Sequence, residues 1–122
     1  MTERVSLREK LATFDEHWVP KIVGELNGQQ VKVAKFLGAY AWHHHENEDE
    51  LFLVVEGAMR LELRDRAVDL SPGEFVIVPR GVEHRPVADA ECHVVLFEPA
   101  TTRNTGNVTN ERTIEPDELT RL

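Results

Sequence analysis

The sequence predicts an all-β fold, a small jelly-roll β-barrel with a short N-terminal helix and a polar C-terminal arm. Short alternating or apolar runs recur between residues 30 and 99, and turn signals separate them about every dozen residues. Helical periodicity of core-forming length is absent from that stretch, which argues against a parallel α/β sheet. The length of 122 residues suits one compact domain.

The N-terminal helix is predicted within the first sixteen residues. Ser6 can cap it, with Glu9 three residues later, as in a capping box. Leu7, Leu11 and Phe14 then recur at helical spacing, so one face of the helix is apolar. A helix this short needs a larger element to pack against.

The strands follow from apolar runs and from the turns between them. Asn27-Gly28 predicts a hairpin turn, and Ser71-Pro72-Gly73-Glu74 predicts a type II turn. Pro79-Arg80-Gly81 predicts another turn, which directs a new strand back into the barrel. The predicted strands are 21–26, 30–37, 51–55, 59–63, 75–78 and 93–97, with 75–78 fully buried.

The C-terminal part changes in character. Residues 101–112 are rich in Thr, Asn and Arg, which predicts a loop or extended arm, and 116–122 can form one or two helical turns. For residues 103–107 two readings stay open: a mobile tail, or a segment that crosses the barrel mouth or a neighbouring subunit. The expected organisation is 1–29 for the helix and first strand, 30–99 for the barrel and 100–122 for the arm.

The charge and cysteine content of the chain indicate which partners and which cellular compartment to expect. The formal net charge of −8 would repel a phosphate backbone or an anionic membrane surface, so we expect neither nucleic acid nor membrane as partner. Cys92 is the single cysteine, which fits a reducing cytoplasm. The apolar runs are too short to span a bilayer, and the N-terminal residues do not resemble a signal peptide. We therefore expect a cytoplasmic protein.

The chemistry is predicted from three consecutive histidines inside the strand region. Successive side chains of a strand face opposite sides, so His43 and His45 point one way and His44 the other. Glu50 follows after a polar stretch that can turn the chain. Two imidazoles and a carboxylate on one face are the ligands of a facial metal triad, and His84, after the 79–81 turn, is available as a fourth.

These residues resemble the two motifs of the cupin family. His43-x-His45, four residues, Glu50, six residues and Gly57 are similar to the first motif. Gly73, five residues, Pro79-x-Gly81, two residues and His84 are similar to the second. Single-domain proteins of this kind are often called mannose-6-phosphate-isomerase-like. The resemblance implies a small barrel with the metal inside, and a homodimer formed by pairing of strand edges.

The four predicted ligands limit the cofactor to a divalent metal ion but do not identify the element. Fe, Mn, Ni, Zn, Co and Cu all accept imidazole, so the divalent ion stays open. Three neutral imidazoles and one carboxylate leave a net charge of about +1, which favours an anionic or bidentate oxygen ligand. Four protein ligands leave two positions of a six-coordinate ion open, as in a catalytic or substrate-binding site.

Three functions stay open on the sequence. The first is an enzyme that isomerises or dioxygenates a small oxygen-rich substrate, such as a sugar, a hydroxy acid or a diketone. The second is a non-catalytic module with the metal as anchor, and the third is a structural barrel without metal. Phe52 and Val54 share the inward parity of Glu50, which makes them candidates for the cavity wall. The catalytic residue is unknown, with His93 as a weak candidate, and Cys92 is expected to be buried and inert.

Overall fold

The computed structural model describes residues 2–122. It contains one α-helix, one 3₁₀ helix and eight strands. In chain order these are α1 Leu7–Leu11, β1 Lys21–Leu26, β2 Gln29–Ala39, β3 Glu50–Glu56, β4 Met59–Leu63, β5 Ala67–Leu70, β6 Phe75–Val78, β7 His84–Pro99, the 3₁₀ helix Pro116–Glu118 and β8 Thr120–Arg121.

The strands form a jelly roll around β7, the longest strand. Its first half pairs with β4, at Leu63↔His84, and its second half pairs with β3, at Leu51↔Phe97. On its other side β7 pairs antiparallel with β2, whose ladder is interrupted by a bulge. The order is β5-β4-β7-β2-β1-β8, with β3 and β6 branching from β7, and within residues 2–122 the sheet does not close on itself. The predicted jelly roll is confirmed, as an open barrel.

The helix covers the outer face of the sheet. Ser6 Oγ accepts a hydrogen bond from the Glu9 amide at 3.2 Å, so the predicted cap is confirmed, although α1 has only five residues. Leu11 and Phe14 are buried against Val33 and Val95. Because this small outer core covers one face of β2 while the barrel core covers the other, residues 32–36 of β2 are buried on both faces.

The barrel core lies on the inner face of the strands. It contains Phe36, Phe52, Leu61 and Val94, and it extends to Trp18, which stacks on Phe36 with ring centroids 4.3 Å apart. Apolar burial of this kind is the main source of stability in a small domain. The core therefore fixes the strands that carry the polar cluster described below.

One prediction about the strands is wrong. Residues 75–78 form the predicted strand, β6, but the strand is not fully buried: Phe75 and Ile77 are 58% and 54% exposed. The reason is that β6 pairs only with β3 and has nothing packed on its outer face within the described residues. An apolar run on an edge strand looks like a buried strand in the sequence.

The arm of 100–122 is ordered against the barrel. The 3₁₀ helix at Pro116–Glu118 realises the predicted helical turn, and β8 then pairs in parallel with β1. The sequence analysis did not predict β5 or the two-residue β8. None of the helices within residues 2–122 is both long and apolar enough to span a bilayer. The division into 1–29, 30–99 and 100–122 stays a prediction.

Candidate metal centre

A short antiparallel bridge brings the two motifs together. The His43 amide donates to the His84 carbonyl at 3.1 Å, and the His84 amide donates to the His43 carbonyl at 2.9 Å. The Gly81 amide donates to the His45 carbonyl at 2.8 Å, which extends this registration past the turn. The Pro79-Arg80-Gly81 turn thus places His84 beside the histidine pair, as its sequence predicts.

The four candidate ligands lie together inside the barrel. One ligand atom from each of His43, His45, Glu50 and His84 lies within 4.8 Å of the others, and all four side chains are buried. Glu50 Oε1 is 3.3 Å from His45 Nε2 and 3.3 Å from His84 Nε2. The structure therefore brings together all four residues that the sequence singled out.

Backbone carbonyls orient two of the rings. His43 Nδ1 lies 2.8 Å from the Ala41 carbonyl oxygen, and His84 Nδ1 lies 2.8 Å from the Val82 carbonyl oxygen. A carbonyl can only accept, so in both rings Nδ1 carries the proton and Nε2 presents its lone pair to the cluster. This is the arrangement by which outer hydrogen bonds orient histidine ligands.

Three of the buried side-chain atoms that lack a hydrogen-bond partner lie in this cluster, where a cation would satisfy them. Among residues 2–122, His45 Nε2, His84 Nε2 and Glu50 Oε1 have no hydrogen-bond partner. Such atoms are costly when buried, and they are rare unless an ion or water satisfies them. Burial lowers the pKa of His43 to about 4, and the nearby His84 contributes, so this ring stays neutral near pH 7. The donor set therefore fits a divalent ion.

A cavity borders the cluster on the side of His43 and Glu50. Its volume is about 30 Å³, room for about two water molecules. The walls are mostly aromatic and apolar, with Phe52 among the lining side chains. Val54 is buried in the core and does not line this cavity, because the core side chains around it fill the space. Of the two cavity candidates, the structure brings only Phe52 to the site.

The sequence analysis missed a buried Lys–Glu pair in the same cavity. Lys32 Nζ lies 3.0 Å from Glu98 Oε1, with side chains 1% and 3% exposed. Burial raises the pKa of Glu98 well above its usual value, and the charge of Glu50 beside it adds to this, against the opposing Lys32 ammonium. Burial also pushes the pKa of Glu50 upward, but the neighbouring side chains of Glu98, His45 and His84 together outweigh this and hold it well below its usual value.

The remaining candidates lie away from the cluster. His44 points outward as expected, with Nε2 2.6 Å from Glu46 Oε1. His93 lies on the outer side of β7, between Glu56 and Glu91, and does not line the cavity. The inward position beside it is Cys92, which is fully buried, as the sequence predicts. The structure therefore does not bring the weak catalytic candidate His93 to the site.

The segment 103–107, left open by the sequence, packs on the connection between β2 and β3, which carries the histidines and makes only an isolated bridge at His43 in place of the predicted strand. The Asn107 amide donates to the His44 carbonyl at 3.0 Å, and the His44 amide donates to Asn107 Oδ1 at 2.8 Å. Gly106 has φ +56°, and a Cβ at this position would clash with the His44 carbonyl oxygen and lie 3.0 Å from His43 Cδ2. The segment 103–107 thus holds the backbone of the connection that carries His43, His44 and His45 in place.

A family model agrees with this geometry. The model described as a cupin domain matches residues 37–113. These residues include the four clustered side chains and the segment that packs on them.

Three known proteins are similar to this chain over most of their own length. The uncharacterized protein YdbB of Bacillus subtilis (strain 168) is 35% identical over 80 residues, and the match spans 65% of each chain. A cupin-2 domain containing protein from Shewanella frigidimarina NCIMB 400 is 38% identical with a TM-score of 0.77, over 78% of this chain and 93% of that one. The protein NMB1881 from Neisseria meningitidis is 36% identical with a TM-score of 0.74, over 80% and 99%.

Proposed function

The chain belongs to the cupin domain family, and from that premise we propose that His43, His45, Glu50 and His84 hold one divalent metal ion to which a small oxygen-rich molecule binds. The observation that carries the proposal is the convergence of buried, unpartnered lone pairs on one point. A metal ion at that point would supply Lewis-acid chemistry, or dioxygen chemistry if it is iron.

The protein's own residues set the conditions for that chemistry. The carbonyl-bound Nδ1 atoms of His43 and His84 hold the rings in place, so little reorganisation is needed on binding. The cavity that Glu50 and His43 face is small and mostly apolar, so it admits few water molecules. An open side toward a cavity is typical of catalytic sites, whereas structural zinc sites are closed by four protein ligands.

We propose isomerisation or dioxygenation of a small sugar, hydroxy acid or diketone as the reaction. One observation favours a second candidate, a non-catalytic module that binds such a molecule through the metal: His93, the only candidate base from the sequence, lies outside the cavity. Turnover separates the two candidates, since a binding module is stabilised by its ligand without converting it. A homodimer and a cytoplasmic location stay predictions.

The test is the metal content of untagged protein, measured by elemental mass spectrometry. Wild type should hold close to one equivalent of metal, and His84→Ala should lose most of it. His44→Ala is the matched control, since His44 is adjacent in sequence to two ligands and points away from them. Circular dichroism should show that both variants are folded.

Two results would refute the metal site. One is equal metal content in the two folded variants. The other is a wild type that takes up no metal after incubation with Fe, Mn, Ni or Zn. If metal is present, the identity of the element decides whether oxygen consumption or isomerisation is assayed first.

A further inference from the structure

Polar groups that the metal ligand set does not use converge on the cavity. Lys32, Tyr40 and Glu98 all line it, although the rest of the wall is mostly apolar. Tyr40 is 7% exposed, and its hydroxyl has no hydrogen-bond partner in the described part of the chain. Glu98 Oε2 is also unpartnered there. Unpaired buried polar atoms are uncommon in folded proteins, and two of them beside a buried lysine around one cavity indicate a ligand.

The Lys32–Glu98 pair is hard to explain by stability alone. Removing both charges from water costs about as much as their attraction returns, so a buried ion pair contributes little to folding. An ammonium group has three N–H donors, and the hydrogen bond to Glu98 uses one. At least one donor is therefore available to a molecule in the cavity.

The chemistry of the donors indicates what they bind. Lys32 can only donate, and a neutral Tyr40 hydroxyl can donate as well, so both suit a negatively charged oxygen. Burial raises the pKa of Tyr40, which keeps its proton in place. A phosphate dianion would face the carboxyl groups of Glu50 and Glu98, which also line the cavity, and its double negative charge counts against it. A carboxylate carries one charge and is planar.

We propose that Lys32 and Tyr40 bind the carboxylate of a small hydroxy or keto acid, with Glu98 as the positioning residue that holds the Lys32 ammonium toward the cavity. This inference rests on the proposed function, because the molecule is the one that the metal ion would also hold. It deepens that function by selecting carboxylic acids from the sugars, hydroxy acids and diketones that the ligand set alone allows.

The test compares two probes on metal-loaded protein, glycolate and ethylene glycol, by isothermal titration calorimetry. Glycolate carries the carboxylate, whereas ethylene glycol offers two oxygens without charge. Two variants remove the proposed contacts: Tyr40→Phe, and the double variant Lys32→Met/Glu98→Gln, which leaves no unpaired buried charge. Lys21→Met/Glu16→Gln is the matched control, since that Lys–Glu pair, 3.2 Å apart, does not line the cavity.

Wild type and control should bind glycolate, and both cavity variants should bind it at least tenfold more weakly while they retain one metal ion. Binding of ethylene glycol should be the same in all four proteins. Unchanged glycolate affinity in the cavity variants would overturn the proposal, as would a wild type that does not prefer glycolate.

Metal content separates this result from failure of the metal site itself. If wild type takes up no metal, the proposed function fails. The same titrations on metal-free protein then decide whether Lys32 and Tyr40 bind a carboxylate on their own. Equal binding by wild type and the cavity variants in that case also rejects the contacts.

Discussion

Gly106 offers a direct measure of how strongly the C-terminal arm supports the candidate metal centre. Replacement by alanine places a methyl group against the His44 carbonyl oxygen, at a residue whose φ of +56° is already unfavourable for alanine. The segment that contains Gly106 has to move away from the connection between β2 and β3, which carries His43 and His45. We expect Gly106→Ala to lower both the free energy of unfolding and the metal content.

The expected loss of unfolding free energy in Gly106→Ala has two parts, the backbone conformation of the alanine and the loss of hydrogen bonds. The left-handed conformation costs alanine about 1–2 kcal/mol, and the stiffer unfolded chain offsets about 0.4–1 kcal/mol of this. Moving the segment breaks the two hydrogen bonds between Asn107 and His44, each worth about 0.5–1.5 kcal/mol. Together these ranges give a loss of about 1–5 kcal/mol, with a midpoint of about 3 kcal/mol.

Gly73→Ala separates the two parts. Gly73 has φ +85°, and a Cβ there would meet nothing within 4 Å, so this control carries the conformational cost alone, about 1 kcal/mol. Urea unfolding followed by tryptophan fluorescence gives both free energies, and elemental mass spectrometry gives the metal content. The reasoning is refuted if Gly106→Ala destabilises the protein no more than Gly73→Ala does.

Two further predictions concern residues outside the metal centre. Cys92 is fully buried, and burial raises the pKa of its thiol to about 11. A thiol reagent at pH 8 should therefore label Cys92 only after the protein unfolds. Labelling of the native protein would contradict this prediction. Because the thiol ionises earlier in the unfolded chain, stability should fall by about 2–3 kcal/mol as pH rises from about 9 to 11, and Cys92→Ala should lack this loss in urea unfolding. Phe75 and Ile77 are exposed on β6, which is a candidate for the strand edge that pairs in a homodimer. In that case wild type should elute as a dimer in size-exclusion chromatography, and the variant Phe75→Ser/Ile77→Ser should elute as a monomer. A monomeric wild type would exclude this interface.

The sequence predicted three of the four clustered residues, His43, His45 and Glu50, because they lie close together in the chain. Strand parity separates His43 and His45 from His44, and one short turn brings Glu50 back beside them. His84 needed a further step, from the turn at 79–81 to the strand that follows it. The structure shows the step to be correct, because backbone hydrogen bonds between His43 and His84 register the two motifs.

The features that the sequence did not predict depend on tertiary packing. Lys32 alternates with valines, which is the pattern of a solvated strand face, yet the barrel closes over it and pairs it with Glu98. The exposure of β6 depends on which strands sit beside it, and strand patterns do not show that. The contact of Gly106 with His43 and His44 depends on the path of the whole C-terminal arm.

The central position of β7 has a consequence for how the chain folds. This strand pairs with β2, β3 and β4, and Lys32 of β2 and Glu98 of β7, which meet on neighbouring strands, are 66 positions apart in the sequence. During synthesis the earlier strands have to wait for residues 84–99 before they can join one sheet. Folds dominated by such distant pairings reach the native state slowly, in milliseconds to seconds. His84 is the first residue of β7, so the metal-binding pocket is complete only when this last step has occurred.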